Sequence, residues 1–392
     1  VGGNLSLGRT TALTEPNTGN TSAGALSLTV NSTAQLVATG DTSPALIAQT
    51  IGGGGGFAAS TTGSVQLGAG GAGTTAANAA AGAISWSNAA GGTTDTEVAE
   101  VGIVPITTAG IATSGNLSPA VVLQSIGGGG GLLGAVDGSV TTGSTSAEGS
   151  DVRGGAITAT SAAPISTSGI SSPGFTIQSI GGSGALIGSA PTSVTAGGSG
   201  LGDSRSGAIN FTNSGAISTA GINSSGVILQ SIAGGGLYTT SAGGNAIRLG
   251  GSVIGTNDSA AISFSTTAPI ATASSNSAAV VAQSIAGGGG AVFGLADASA
   301  TTLTLGGSDA TDNQASTIDL AITGNLSTGG DFSPALIAQS IGGGGGSAAL
   351  TGSPDPTINP GSNELGLLAM DTASTIAGNL NVSNTSNLIT TS

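Results

Sequence analysis

The chain contains no cysteine, no histidine and no lysine, and its four basic residues are all arginine. Without cysteine no disulfide framework can form, and without cysteine or histidine the usual zinc ligands are missing. A net charge of -14 disfavours any partner with a phosphate backbone, so we expect no nucleic-acid partner. Anionic membrane surfaces are disfavoured for the same reason.

Large side chains are also scarce. Only eight of the 392 residues are aromatic, whereas 74 are glycine, which argues against conventional globular cores. Trp86, Tyr238 and the six phenylalanines are scattered along the chain, so the sequence shows no aromatic platform for sugars or bases. No run of 18 apolar residues occurs, and we therefore expect no membrane insertion within this chain.

What the chain has in abundance is repetition. A short aliphatic run, a Gln-Ser-Ile or Gln-Thr-Ile triplet and a burst of glycines occur together six times, as in ALIAQSIGGGGG at 335–346. The repeated glutamines are Gln49, Gln124, Gln178, Gln230, Gln283 and Gln339. They lie 75, 54, 52, 53 and 56 residues apart, which indicates a unit near 53 residues and one insertion, placed at about 68–100.

Two further aliphatic columns precede the glutamines. The residues 13 positions before them are Leu36, Ile111, Ile165, Ile217, Ile270 and Leu326. Eight positions earlier stand Leu28, Ile103, Ile157, Ile209, Ile262 and Ile318. These fixed spacings predict that the first half of every unit stays in register. The same pattern predicts a partial seventh repeat from about residue 376, with Leu380 and Leu388, and one repetitive domain over 1–392.

Glycine, serine, threonine and β-branched residues are poor helix formers, and their short runs between turn residues are typical of β-strands. The pattern predicts about three strands per unit, for example AISFST at 261, AAVVAQSI at 278 and TLTLGG at 302. Stacking of such units predicts an all-β, right-handed parallel β-solenoid, or β-helix, built from repeats of about 53 residues.

The glutamine strand is apolar on both faces. In the first copy, Ile47, Gln49 and Ile51 share one face, and Leu46 and Ala48 lie on the other. A strand of this kind is normally covered on both sides, either by a second layer of the same chain or by a neighbouring molecule. The buried glutamines predict a structural ladder of amides or a clamp on the glycine turn. Direct laddering requires one coil per repeat, and the sequence leaves one or two coils open.

The glycine bursts require a structural reason, because each ordered glycine costs roughly 0.5 to 1 kcal/mol relative to alanine. Either a tight corner with positive φ or a surface for close backbone packing supplies one. The glycines assigned to this corner or packing surface are Gly52, Gly53, Gly54, Gly127, Gly128, Gly129, Gly342, Gly343 and Gly344. A phosphate-binding loop is disfavoured, because it needs a lysine.

Carboxylates could serve a glycan-cleaving β-helix. The nearest approaches to a catalytic cluster are Asp95, Glu97 and Glu100, or Asp309 and Asp312, and both groups lie in segments of variable length. Solvation of loops explains them more simply, and we expect no enzyme, no cofactor and no metal site.

Asp41 and Asp331 precede the Ser-Pro that opens a glutamine strand, where a calcium ion is conceivable. A turn-forming role is more economical. It fits the residues in the matching place of the other copies, taken as Asn116, Ser171, Ser224 and Asn276.

The phrase SPALIAQSIGGGGG at 333–346, preceded by NLSTGG, resembles the repeats of large proteobacterial autotransporter passenger proteins and β-helical adhesins with AQSIGGGGG elements. All six copies fall under this resemblance, although copies three and four carry the shorter GGSG and AGGG. The resemblance implies a rod at the bacterial cell surface or released from it. We therefore expect an extracellular structural or adhesive element that self-associates into a fibre or layer, with surface glycans or other cells as further partners. A carbohydrate-active β-helix, similar to tailspikes or lyases, is the alternative.

Overall fold

The computed structural model describes part of the chain. It comprises residues 5–7, 21–31, 34–67, 79–88, 110–143, 145–189, 193–197, 199–239, 246–250, 252–253, 256–296, 302–305, 312–351, 357–360, 374–376, 380–384 and 388–390. Within these ranges every regular element is a β-strand, and successive coils pair in parallel throughout six sheets. The predicted parallel β-solenoid is confirmed, and its handedness stays a prediction.

Two sheets form one side of the solenoid. The front sheet contains β3 (Leu26–Val30), β9 (Ile84–Asn88), β15 (Ile157–Ser161), β21 (Ile209–Asn213), β28 (Ile262–Thr266), β34 (Ile318–Ile322) and β40 (Leu380–Asn384). The short sheet contains β4 (Leu36–Ala38), β10 (Ile111–Thr113), β16 (Ile165–Thr167), β22 (Ile217–Thr219), β29 (Ile270–Thr272), β35 (Leu326–Thr328) and β41 (Leu388–Thr390).

Two sheets lie in the interior. The glutamine sheet contains β5 (Leu46–Ile51), β11 (Val121–Ile126), β17 (Phe175–Ile180), β23 (Val227–Ile232), β30 (Val280–Ile285) and β36 (Leu336–Ile341). The glycine sheet contains β6 (Gly55–Thr61), β12 (Gly130–Val136), β18 (Gly184–Ser189), β24 (Gly236–Thr239), β31 (Gly289–Ala296) and β37 (Gly345–Thr351).

Two further sheets close each coil. The back sheet contains β1 (Leu5–Leu7), β7 (Val65–Leu67), β13 (Val140–Thr142), β19 (Ser193–Ala196), β25 (Ala246–Leu249), β32 (Thr302–Leu305) and β38 (Thr357–Pro360). The bridging sheet contains β2 (Thr21–Ser22), β8 (Ala79–Ala80), β14 (Thr145–Arg153), β20 (Ser199–Arg205), β26 (Ser252–Val253), β27 (Thr256–Asp258), β33 (Asp312–Gln314) and β39 (Ser374–Ile376).

Each repeat makes one coil, numbered here 1 to 6 by its glutamine. Gln124 pairs in register with Gln49 of coil 1 and Gln178 of coil 3, which answers the question of coil number that the sequence left open. A coil runs through bridging, front, short, glutamine, glycine and back strands in that order. The expectation of about three strands per unit was wrong, because each complete coil contributes a strand to all six sheets. The strand of the glycine sheet starts within the glycine burst itself, and the strands of the short sheet are only three residues long.

The coil is folded into layers that bury the glutamine sheet on both faces. Val227 and Leu229 of β23 pack against the front and short sheets, while Ile228 faces the glycine sheet. The opposite side of the glycine sheet, including Ile187, packs against Val194 of the back sheet. Of the two kinds of cover predicted for the glutamine strand, a second layer of the same chain is the one observed.

The extra residues of coil 2 do not lie where the spacing placed them. β8 and β9 fall inside the predicted insertion at 68–100, yet both pair with the next coil. Residues 214–216 join the front and short strands of coil 4, whereas residues 89–110 do so in coil 2. The insertion therefore follows the front strand of coil 2.

The same shift changes the aliphatic column in the first two coils. Ile84 pairs with Leu26 and Ile157, and Leu28 pairs with Trp86 two residues further along. Ile103, assigned to this column by its spacing, lies outside the described residues. The prediction of a fixed spacing of eight residues was wrong for coils 1 and 2.

Half of the aromatic residues meet in one buried column. The ring centroids of Trp86 and Phe175 lie 5.6 Å apart, those of Phe175 and Phe211 4.7 Å, and those of Phe211 and Phe264 5.3 Å. All four side chains are no more than 2% exposed. The aromatics of neighbouring coils, scattered in sequence, thus share one core between the front and glutamine sheets, and none of the four forms a platform for a ligand.

Tyr238 is buried between the glutamine and glycine sheets, where its hydroxyl donates to Ser225 Oγ at 3.2 Å. Burial raises the pKa of this phenol well above its ordinary value, and the hydrogen bond to Ser225 lowers it by a smaller amount. The chain has one tyrosine and no lysine, cysteine or histidine, so Tyr238 is the only side chain that titrates between neutrality and the range of arginine.

We expect stability at high pH to depend on Tyr238 alone. Because the folded pKa is raised, its contribution is complete below the unfolded pKa of about 10 and is lost as pH rises towards the folded value. The free energy of unfolding should fall by about 1.4 kcal/mol per pH unit above pH ~10 in the wild type. Urea unfolding of Tyr238→Phe should lack this slope, and an equal slope in both proteins would contradict the assignment.

Candidate functional site

The six repeated glutamines form one column through the interior. Each Nε2 donates to the Oε1 of the glutamine in the next coil, over distances of 2.6 to 2.8 Å, from Gln49 to Gln339. The four central members are completely buried. Successive rungs are about 4.8 Å apart, which is the spacing that lets amides in register satisfy one another.

The second proton of the amide reaches the glycine sheet in three coils. Gln124 Nε2 donates to Gly131 O at 3.2 Å, Gln283 Nε2 to Gly290 O at 3.2 Å, and Gln339 Nε2 to Gly346 O at 3.3 Å. These are coils with four or five glycines in the burst, whereas the matching positions of coils 3 and 4 hold Ala185 and Leu237. The ladder and the clamp considered from the sequence thus coexist.

The residue that follows each glutamine, Thr50 in coil 1 and serine in the other coils, points the other way and ties the strand to the bridging side. Ser125 Oγ donates to Gly82 O at 2.9 Å and accepts from Gly155 N at 2.7 Å. Ser179 makes the same pair of bonds with Gly155 O and Gly207 N. The repeated Gln-Ser pair therefore joins the glutamine strand to both neighbouring layers and holds adjacent coils together.

The glycine bursts turn the chain from the glutamine sheet into the glycine sheet. The nine corner glycines named above occupy residues 52–54, 127–129 and 342–344, between β5 and β6, β11 and β12, and β36 and β37. Gly129 has a φ of 102°, in the left-handed region that favours glycine. A Cβ on Gly127 would lie 2.6 Å from Arg153 N and 2.6 Å from Gly181 O. Positive φ and close backbone approach therefore both occur, at different glycines.

A serine column that the sequence reasoning missed holds the turn before each glutamine strand. Ser172 Oγ accepts from Ser118 N of the coil before at 3.0 Å and donates to Gly115 O at 3.0 Å. The same linkage recurs through Ser224, Ser277 and Ser333. The signal was present, since a Ser stands three residues before the first residue of every glutamine strand.

The matching of Asp41 and Asp331 to the other coils needs correction. Asp41 Oδ1 accepts from Asn116 N at 2.7 Å, which shows the turn-forming role. Backbone pairing assigns the column to Asp41, Asn116, Ile170, Ile222, Ser275 and Asp331, so Ser171, Ser224 and Asn276 lie one or two residues beyond it. Asp41 and Asp331 are five coils apart, about 24 Å, and cannot share an ion.

The ion pairs of the described residues all lie on the bridging sheet. Arg205 pairs with Asp203 at 3.0 Å and with Asp258 at 3.3 Å, and these three side chains are partly exposed. No group of three potential metal-ligating side chains occurs in the described ranges. Of the carboxylates considered for catalysis, Asp312 begins β33, and Asp95, Glu97, Glu100 and Asp309 lie outside these ranges.

No helix in the described part of the chain has the length and hydropathy needed to span a membrane. No protein-family model, no curated protein and no solved structure matches the chain. The resemblance to autotransporter passenger proteins thus stays a prediction.

Proposed function

We propose that the chain is a section of an extracellular structural or adhesive β-solenoid at a bacterial cell surface, which self-associates into a long fibre or layer. The observation that carries the proposal is the unbroken glutamine column, in which five successive hydrogen bonds between side-chain amides join six coils. Such a continuous backbone and side-chain ladder makes a stiff body, and stiffness is what a fibre or stalk requires.

The distribution of polar side chains supports the same role. Glutamine and serine side chains donate hydrogen bonds from one coil to the next, and aliphatic and aromatic columns fill the interior. The proposal assigns the chain no catalytic role and no cofactor. Its surface glycan or cellular partners are proposed on the resemblance alone.

Electron microscopy of the purified chain tests self-association. Six stacked coils extend for only about 29 Å along the solenoid axis. We therefore expect filaments or layers many times longer than this. Fields that contain only short, separate particles over a wide range of protein concentration would contradict the proposal.

A further inference from the structure

The front and short sheets share one continuous outward face. In coil 4, buried and exposed residues alternate without interruption from Ile209 to Gly221. The outward residues of this row are Asn210, Thr212, Ser214, Ala216, Ser218 and Ala220. The corresponding row of coil 5 is Ser263, Ser265, Thr267, Pro269, Ala271 and Ala273. We call the outward residues of these two sheets in coils 3 to 6 the hydroxyl face.

Small, uncharged side chains dominate the hydroxyl face. Coil 3 contributes Thr158, Thr160, Ala162, Pro164, Ser166 and Ser168, and coil 6 contributes Asp319, Ala321, Thr323, Asn325, Ser327 and Gly329. Asp319 is the only charged member, and it lies at one corner. Few large side chains therefore stand in the way of a second sheet that approaches this face.

Two exposed isoleucines border this face. The rows of coils 3 and 4 end at Ile170 and Ile222, which are 48% and 45% exposed and lie on neighbouring coils. The same position holds Asn116 in coil 2, whose Oδ1 accepts from Ile170 N at 2.9 Å. Because a polar residue builds the same turn, the fold does not require isoleucine there.

Charge decides which partner the face suits. The chain carries a net charge of -14, so two copies repel each other unless they meet where charge is absent. The described carboxylates Asp137, Asp151, Asp203 and Asp258 lie in the turn before the back sheet or on the bridging sheet, away from the hydroxyl face. Asp319 and Asp331 lie in coil 6, at the two ends of its outward row. In coils 3 to 5 the hydroxyl face carries no charged side chain, so a second copy meets no direct repulsion between facing charges there.

The size of the face is sufficient for a stable pair. A row of 13 residues extends for about 40 Å and four coils rise about 19 Å, which gives about 760 Å². A specific interface of standard size buries about 800 Å² on each partner.

We propose that two copies of the chain pair face to face through the hydroxyl face, with Ile170 and Ile222 as the apolar contacts of the interface. The hydroxyl face is then a surface through which the self-association proposed above takes place, and this inference rests on that proposed function. A closed pair of this kind uses the same patch on both copies, so association through it stops at two chains. Association through the open ends of the solenoid then continues the paired chains into the longer fibre proposed above.

Sedimentation equilibrium of the whole chain tests this pairing. We expect two chains as the smallest associated species at low protein concentration, and a dissociation constant for this step that falls as added salt screens the repulsion between copies. The double variant Ile170→Asn with Ile222→Asn copies the turn of coil 2 and should weaken pairing at least tenfold. Thr212→Asp, at the centre of the face, should do the same.

Thr141→Asp is the matched control. Thr141 is an exposed residue of the back sheet, and its replacement adds the same charge on the opposite side of the solenoid. Pairing of this control should equal that of the wild type once salt is added. Circular dichroism should show the same β spectrum for all four proteins.

The other results would overturn the proposal in distinguishable ways. A wild type that stays monomeric at every concentration and salt level would remove both the pairing and the proposed self-association. Equal loss of association in Thr141→Asp and Thr212→Asp, or species that grow beyond two chains without change in any variant, would leave self-association and reject this face. Monomers that bind a polysaccharide matrix, and lose that binding in Thr212→Asp, would assign the face to glycans.

Discussion

Gln230→Leu is expected to destabilise the fold by about 2 to 6 kcal/mol. Gln230 is completely buried, accepts from Gln178 Nε2 at 2.7 Å and donates to Gln283 Oε1 at 2.8 Å. Leucine leaves a donor and an acceptor of the two neighbours without their ladder partner, and each unpaired buried group costs about 1 to 3 kcal/mol. Urea unfolding followed by circular dichroism gives the difference in free energy.

Gln49→Leu is the matched control for this substitution. Gln49 is partly buried in coil 1 and makes a single ladder bond, to Gln124 Oε1 at 2.6 Å. Its replacement should cost about half as much as that of Gln230, because only one neighbour loses a partner. Equal and small effects at both positions would show that the amide column contributes little.

Gln230→Glu adds a pH dependence to the same position. A protonated carboxyl can donate to Gln283 and accept from Gln178, whereas a carboxylate cannot donate. Burial raises the pKa of this carboxyl above the value of about 4.3 in the unfolded chain. The stability of the variant is thus complete below pH ~4.3 and falls as pH rises through the folded pKa, by about 1.4 kcal/mol per unit. Gln230→Leu should show no such slope, and parallel pH profiles for the two variants would contradict the ladder.

The second large effect is expected at the glycine corner. Gly127→Ala places a Cβ 2.6 Å from the backbone of both Arg153 and Gly181, and neither backbone can move without disturbing its own sheet. Overpacking of this kind typically costs 1 to 3 kcal/mol and sometimes more, and we expect about 3 kcal/mol. The measurement is again the free energy of urea unfolding.

Gly24→Ala is the control for the corner. A Cβ on Gly24 meets nothing within 4 Å, so alanine should be neutral or stabilise the fold by about 0.4 to 1 kcal/mol. If Gly127→Ala is tolerated as well as Gly24→Ala, close backbone packing is not the reason for the glycine bursts.

Much of this architecture was predictable, because its main signal is identity between copies. The repeat of Gln124 and Gln178 fixed the register of the glutamine sheet, and the alternation of apolar residues predicted its two covered faces. The partial seventh repeat is also placed as predicted, with Leu380 next to Ile318. A shared register is a local consequence of backbone pairing, so repeated sequence is sufficient to predict it.

Elements that repeat only in shape were harder to find. Counting back from Gln124 placed Ile103 in the front column by coincidence of spacing, whereas the ISWSN sequence at 84–88 resembles INFTN at 209–213 and is the true match. The two-residue and three-residue strands carry too few side chains for a period to show. The aromatic column also escaped prediction, because Phe175 reaches it from a different strand of the coil than Phe211 does.

The stacking of one coil per repeat is tested most directly by a pair of cysteines in this cysteine-free chain. Thr160 and Thr212 are paired, outward-facing residues of adjacent coils, so their Cα atoms lie about 4.8 Å apart, within the range that a disulfide spans. Thr160→Cys with Thr212→Cys should form an intramolecular disulfide on mild oxidation, detected by loss of free thiols at unchanged mass. Thr160→Cys with Ser265→Cys, two coils apart, should keep both thiols. Free thiols in the first variant would contradict the stack, because two coils per repeat would separate the pair by about 10 Å, beyond the reach of a disulfide.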